Sequence, residues 1–110
     1  MKTQLLPDEQ IVKEGAGNMA RGAESVGGRL ACTNQRLIFE SHAMNLQTGD
    51  AIIELGQITS AKPVWTKAFG LIPLAPNSFE VQLRDGTSQS FVVMGRGEWI
   101  AAIESAQKAT

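Results

Sequence analysis

The chain has one cysteine, Cys32, one histidine, His42, and no tyrosine in 110 residues. A single cysteine excludes an internal disulfide and suits a reducing compartment. One Cys and one His cannot build a structural zinc site, and the acidic residues lack calcium-loop spacing. No metal and no cofactor is expected. Nucleophilic catalysis needs a base, an orienting group and an oxyanion donor. His42 beside Ser41 supplies no such set, so we expect an exposed loop histidine and no catalytic residue. Charge of one sign is lacking too: ten basic residues face eleven acidic ones, a net charge of −1. No overall field attracts nucleic acid or an anionic membrane. Without a strip of stacking aromatics, a nucleic-acid partner is not expected. No run approaches the roughly 20 apolar residues of a membrane span. Residues Met1 to Asp8 carry no apolar core of signal-peptide length. The expected location is cytoplasmic.

What is present is ordinary for a globule: 43% hydrophobic and 19% charged residues. A chain of this size buries roughly 65% of its unfolded surface, enough for one core. We expect a lead-in over residues 1–8 and a single domain over 9–110.

Gly27 to Glu40 organises the rest and predicts a β-hairpin. Two apolar-rich runs flank Thr33-Asn34-Gln35-Arg36. This register sets Cys32 against Leu37, Leu30 against Phe39 and, on the other face, Ala31 against Ile38. Gln35 suits a type I′ turn poorly, because both central residues there need positive φ. A four-residue loop keeps the same pairing. Cys32 then falls on an apolar face and reads as a small buried hydrophobe.

Before the hairpin, a strand is expected from about Glu9, with Gly15-Ala16-Gly17 as a bulge or bend. Arg21 to Gly27 reads as a loop. After the hairpin, Ser41 to Gly49 is polar and turn-rich. Ala51 to Leu55 and Ile58 to Lys62 read as short strands, the second ended by Pro63. Val64 to Asn77 follows neither period. Ser78 to Arg84 alternates cleanly, with Phe79, Val81 and Leu83 on one face. A two-residue Asp85-Gly86 loop would mix the faces of the next hairpin. A three-residue loop, Arg84 to Gly86, pairs Phe79 with Phe91 and predicts a left-handed Gly86. The chain closes with a helix from Glu98 to about Lys108, with Trp99, Ile103 and Ala106 on one stripe. Short strands followed by one amphipathic helix predict a small antiparallel barrel or sandwich with a helical cap.

Gly15-Ala16-Gly17-Asn18-Met19-Ala20 fits the dinucleotide fingerprint G-x-G-x-x-A. That fingerprint needs a helix immediately after it. Gly22 and Gly27-Gly28 arrive too soon for one, so nucleotide binding is not expected.

The order of motifs carries a resemblance. Gly28-Arg29-Leu30 is followed by Thr33-Asn34-x-Arg36-Leu37-Ile38-Phe39, then by Ile52-x-x-Leu55-x-x-Ile58. An alternating strand leads into Asp85-Gly86 and Phe91, then Arg96-x-x-x-Trp99-Ile100 and Ile103. This order resembles the GRAM domain family, itself similar to pleckstrin-homology domains, over roughly residues 9 to 104. It is similar to the small bacterial members of that kind. The resemblance implies about seven antiparallel strands capped at one end by the C-terminal helix. It also implies a non-catalytic binding module for membrane lipid or protein.

Two surfaces follow as candidates. In pleckstrin-like folds the loops after the first, third and sixth strands share the end away from the helix. Here these loops would be Arg21 to Gly27, Ser41 to Asp50 and Arg84 to Thr87. The headgroup candidates are Arg21, Arg29 and Arg84, because phosphates are held by charge-assisted bonds. Glu24, Asp50 and Asp85 offset them. The second candidate is Val64 to Ala75, with Trp65, Lys67, Phe69, Leu71 and Ile72 as partner-binding residues. Such a segment either folds back over an open barrel edge, meets a protein (another copy included), or wedges into a membrane. Protein contact or self-association, through a sheet edge and this segment, is the leading expectation. Peripheral binding to anionic lipid, through this segment or through Arg21, Arg29 and Arg84, is the alternative.

Overall fold

The computed structural model describes residues 2–22, 24–42, 50–68 and 72–109. Seven strands form one sheet: β1 (Ile11–Arg21), β2 (Glu24–Thr33), β3 (Arg36–Ser41), β4 (Ala51–Glu54), β5 (Ile58–Ala68), β6 (Ile72–Leu83) and β7 (Ser88–Val93). One helix, α1 (Arg96–Lys108), follows. The strand order is β4-β3-β2-β1-β7-β6-β5, and every pairing is antiparallel. The two edges, β4 and β5, are consecutive in the chain and joined only by a 3₁₀ turn, Leu55–Gln57. Laid flat, seven strands would separate those edges by about 29 Å. Three residues bridge about 14 Å at most. The sheet must therefore curl into a half-barrel, with its inner face as the core and α1 as the cap.

The inner face fills as the alternation requires. Phe79 faces Phe91 across β6 and β7, with ring centroids 5.4 Å apart, and Phe39 reaches Phe91 at 6.1 Å. Trp99, Ile103 and Ala106 are the buried stripe of α1, and Trp99 stacks on Phe79 at 6.4 Å. Gln107 Nε2 donates to the Leu55 and Ile58 carbonyls, tying the helix to the turn that joins the edges. The three hairpin pairings stand as expected: Cys32 with Leu37, Leu30 with Phe39, Ala31 with Ile38. Its turn uses no positive φ. Instead the Thr33 hydroxyl oxygen accepts from the Gln35 and Arg36 amides. Gly86 is left-handed, φ 90°, as the three-residue loop demands.

Four expectations need correction. First, β1 runs unbroken through Gly15-Ala16-Gly17, and its register shift lies at Ile11/Lys13. The glycines there serve close packing: a Cβ on Gly17 would sit 3.0 Å from the Val92 carbonyl oxygen. Second, Arg21 to Gly27 is no long loop, because β2 already begins at Glu24 and Arg21 pairs with Glu24. Third, Pro63 does not end β5, which continues to Ala68 and pairs with β6 along its length. β5 is an edge strand, where proline is tolerated. Fourth, 64–77 is strand over its described parts; register shifts at Val64/Thr66 and Thr66/Lys67 erase the period that would have betrayed it. Smaller shifts concern boundaries: β4 ends at Glu54 and α1 begins at Arg96.

The outer face of the β2–β3 hairpin is buried as well, at Ala31, Thr33 and Ile38. Residues 2–10 cross it as a strap. The Lys2 amide and the Thr3 amide and hydroxyl donate to Glu40. Arg36 donates to the Gln4 carbonyl, Gln35 to Pro7 and Asn34 to Asp8. At its centre the fully buried Glu9 carboxylate accepts from Arg36 Nη2 at 2.7 Å, Arg36 Nε at 2.8 Å, the Thr33 hydroxyl at 2.6 Å and the Leu6 amide at 2.8 Å. No helix among the described residues is long and apolar enough to cross a membrane.

Candidate binding surface

The helix begins beside Val64, and the β5–β6 hairpin runs on past it. Past the rung that pairs Pro63 with Phe79, the two strands continue as an arm to Ala68 and Ile72. Arg96, the first residue of α1, holds its base by donating to the Val64 carbonyl at 2.9 Å. Further out, the Thr66 hydroxyl bonds Asn77 and Ser78. Apolar side chains on the arm have no core to enter. Trp65 is 53% exposed, Ile72 57% and Leu74 62%. Isolated exposed leucines are unremarkable, but large apolar residues grouped on one projecting element mark contact surfaces. Lys67 is exposed beside them. Phe69 and Leu71, the other two partner candidates, lie outside the described residues.

The arm stands over the outer face of the sheet and leaves a groove of about 530 Å³. Trp65 and Leu74 line the arm side, Val92, Ser90 and Glu80 belong to β7 and β6, and Glu24 lies at the β1–β2 turn. The register explains the floor: Asn18 lies opposite Val92, Val92 opposite Ser78, and Ser90 opposite Glu80, so these residues share the outer face.

The arginine candidates are spread apart. Arg21 ends β1; Arg29 sits five rungs away, opposite Ala16, which is about 17 Å along the strand. Arg29 lines a shallow cavity of about 390 Å³ with Lys2, Glu40, Ser41 and His42. There the carboxylate of Glu40 is already engaged. Burial raises its pKa, but the bonds from Thr3 and Lys2 outweigh that and leave it lowered. Arg84 donates from Nε to the Gly56 carbonyl at 2.7 Å. Most of the Ser41 to Asp50 loop lies outside the described residues. His42 is exposed. Among the described residues no group of three His, Cys, Asp or Glu side chains is placed to hold a metal.

Sequence reasoning located the arm but missed the groove behind it. Glu80 and Ser90 were legible as outward residues of alternating strands. Their proximity to Trp65 was not, because it depends on how far the β5–β6 hairpin runs past Pro63. Glu24 was hidden by reading the β1–β2 turn as a long loop.

No family model and no curated protein matches the chain. Solved structures do. A C-terminal domain of an unknown protein from Leishmania infantum superposes with a TM-score of 0.71 at 19% identity, over 91% of this chain and 85% of that one. The N-terminal PH domain of Vps36 gives 0.65 at 16%, over 96% and 86%. The linker-DH/PH domains of p115-RhoGEF give 0.69 at 13%, over 96% of this chain but 31% of theirs. The fold is thus that of a pleckstrin-homology domain.

Proposed function

We propose that this chain is a non-catalytic binding module of GRAM type that works by protein contact through the β5–β6 arm, with self-association as its first form. One observation carries the reading: Trp65, Ile72 and Leu74 are each more than half exposed on one projecting hairpin. Each is already about half buried, so completing its burial contributes about 1–2 kcal/mol, and a contact covering all three gains a few. The pleckstrin-like fold and the motif order from Gly28 to Ile103 support the module assignment. The dispersed placement of Arg21, Arg29 and Arg84 gives a headgroup site less to stand on than the arm gives a protein contact.

Sedimentation equilibrium over a wide concentration range tests this. The wild type should associate, and Trp65→Ala with Leu74→Ala should return it to monomer without changing its circular dichroism. A wild type that stays monomeric throughout removes self-association. Association that survives both substitutions removes the arm as its site.

A further inference from the structure

Among the described residues, Glu80 stands out from the other largely shielded carboxylates by the length of its contacts. Glu9 takes four bonds of 2.6–2.8 Å. Glu40 takes three of 2.6–3.0 Å. The Glu80 side chain is only 23% exposed, yet its contacts are long: the Ser90 hydroxyl at 3.5 Å and Lys62 Nζ at 3.8 Å. Charge-assisted bonds run about 2.7–2.9 Å, and a carboxylate offers roughly four acceptor positions. Glu80 therefore holds unused acceptor capacity, and it faces the groove behind the arm. Glu24 lines the same groove, its carboxylate without a hydrogen bond or ion pair among the described residues. Two carboxylates against one ammonium, Lys67, leave the lining net negative.

The apolar half of the groove matches the same kind of guest. Trp65 offers an indole, and Leu74 an aliphatic wall. A guanidinium suits this combination better than an ammonium. It is planar, weakly hydrated, able to stack on an indole, and able to fork two donors onto a carboxylate. Its three-carbon stem can lie along Leu74.

We infer that the groove receives an arginine side chain of a partner protein, with Glu80 as the acceptor and Trp65 as the stacking surface. The inference rests on the reading of the arm as a contact surface, with which it shares Trp65 and Leu74.

The test titrates the ¹⁵N-labelled full chain with the peptide acetyl-Ala-Leu-Arg-Leu-Ala-amide and with its citrulline counterpart, the same shape without the charge. The arginine peptide should give saturable shifts at the amides of Ala20, Glu24, Thr66 and Ser90. The citrulline peptide should bind about tenfold more weakly or worse. Glu80→Gln should cost the arginine peptide about tenfold and leave the citrulline peptide unchanged, and Lys67→Ala should tighten the arginine peptide. No saturable shifts at millimolar peptide, equal binding of the two peptides, or indifference to Glu80→Gln would each overturn the inference. Glu80→Gln leaves the exposed apolar residues of the arm untouched, so it should not alter sedimentation. Failure in the groove and failure of the arm are thereby read separately.

Discussion

Replacing Glu9 by glutamine removes one charge from the point where the strap meets the hairpin. The Arg36 bonds are the largest influence on Glu9, and with the Thr33 hydroxyl and the Leu6 amide they outweigh its burial, bringing its pKa from 4.5 down to about 2. That difference corresponds to about 3 kcal/mol of stabilisation at neutral pH. A second route agrees: removing one member of a buried ion pair costs about 3–5 kcal/mol, because the survivor stays buried and unpaired. Arg36 is the survivor here, with a side chain only 10% exposed. Urea unfolding followed by tryptophan fluorescence at pH 7 should therefore show Glu9→Gln less stable by about 3 kcal/mol. The pH dependence gives the sign. Glu9 has a lower pKa folded than unfolded, so its contribution is complete above about pH 4.5 and fades as the pH falls toward 2. The gap between wild type and variant should close over that window. Replacing both partners by methionine should restore most of the loss, since an apolar pair of similar volume is often as stable as the buried ions. A gap below about 1 kcal/mol at pH 7, or one that persists unchanged to pH 2, would refute the account of the strap as a buried-charge latch.

Two further outcomes concern the sheet. A Cβ at Gly28 would lie 2.1 Å from the Glu40 carbonyl oxygen and 2.8 Å from the Phe39 ring, so Gly28→Ala should cost about 3 kcal/mol or more in thermal unfolding. Burial pushes the Cys32 thiol up to about 11; native protein at pH 8 should resist a thiol-specific reagent, and labelling should appear only with denaturant.

How much of this was legible depends on the range of the signal. The Leu30–Phe39 and Phe79–Phe91 registers were readable because each lies within one hairpin, where alternation and loop length fix the pairing. The helix was readable from Trp99, Ile103 and Ala106 on one stripe. The strap was not, because Glu9 and Arg36 are 27 residues apart and neither looks unusual alone. Buried charges are expected to be rare, so pattern reading sends both to the surface. The arm was located by composition and misread in conformation. Pro63 argues against a central strand, and only the sheet order reveals that β5 is an edge. The described residues assign a strand where the sequence offered no period, and the register shifts explain why.

The edge also constrains how the arm can meet a partner. A long free edge invites another strand, and proteins blunt such edges with lysine, proline and bulges. β5 carries Lys62, Pro63 and Lys67, and its register slips twice between Val64 and Lys67. All these devices disfavour backbone pairing along the edge. None of them covers Trp65, Ile72 or Leu74, which stay more than half exposed. The chain thus suppresses the unspecific route to association, strand addition, while leaving large apolar side chains in water. A contact made by those side chains is specific in shape where an edge contact is not. The same argument explains why the groove matters. It lies on the outer face of the sheet, where the side chains of β5 and not its free backbone edge form one wall, and Glu80 and Trp65 both line it. On the reading proposed above, the arm's exposed side chains supply area, and the Glu80 carboxylate supplies the choice of partner.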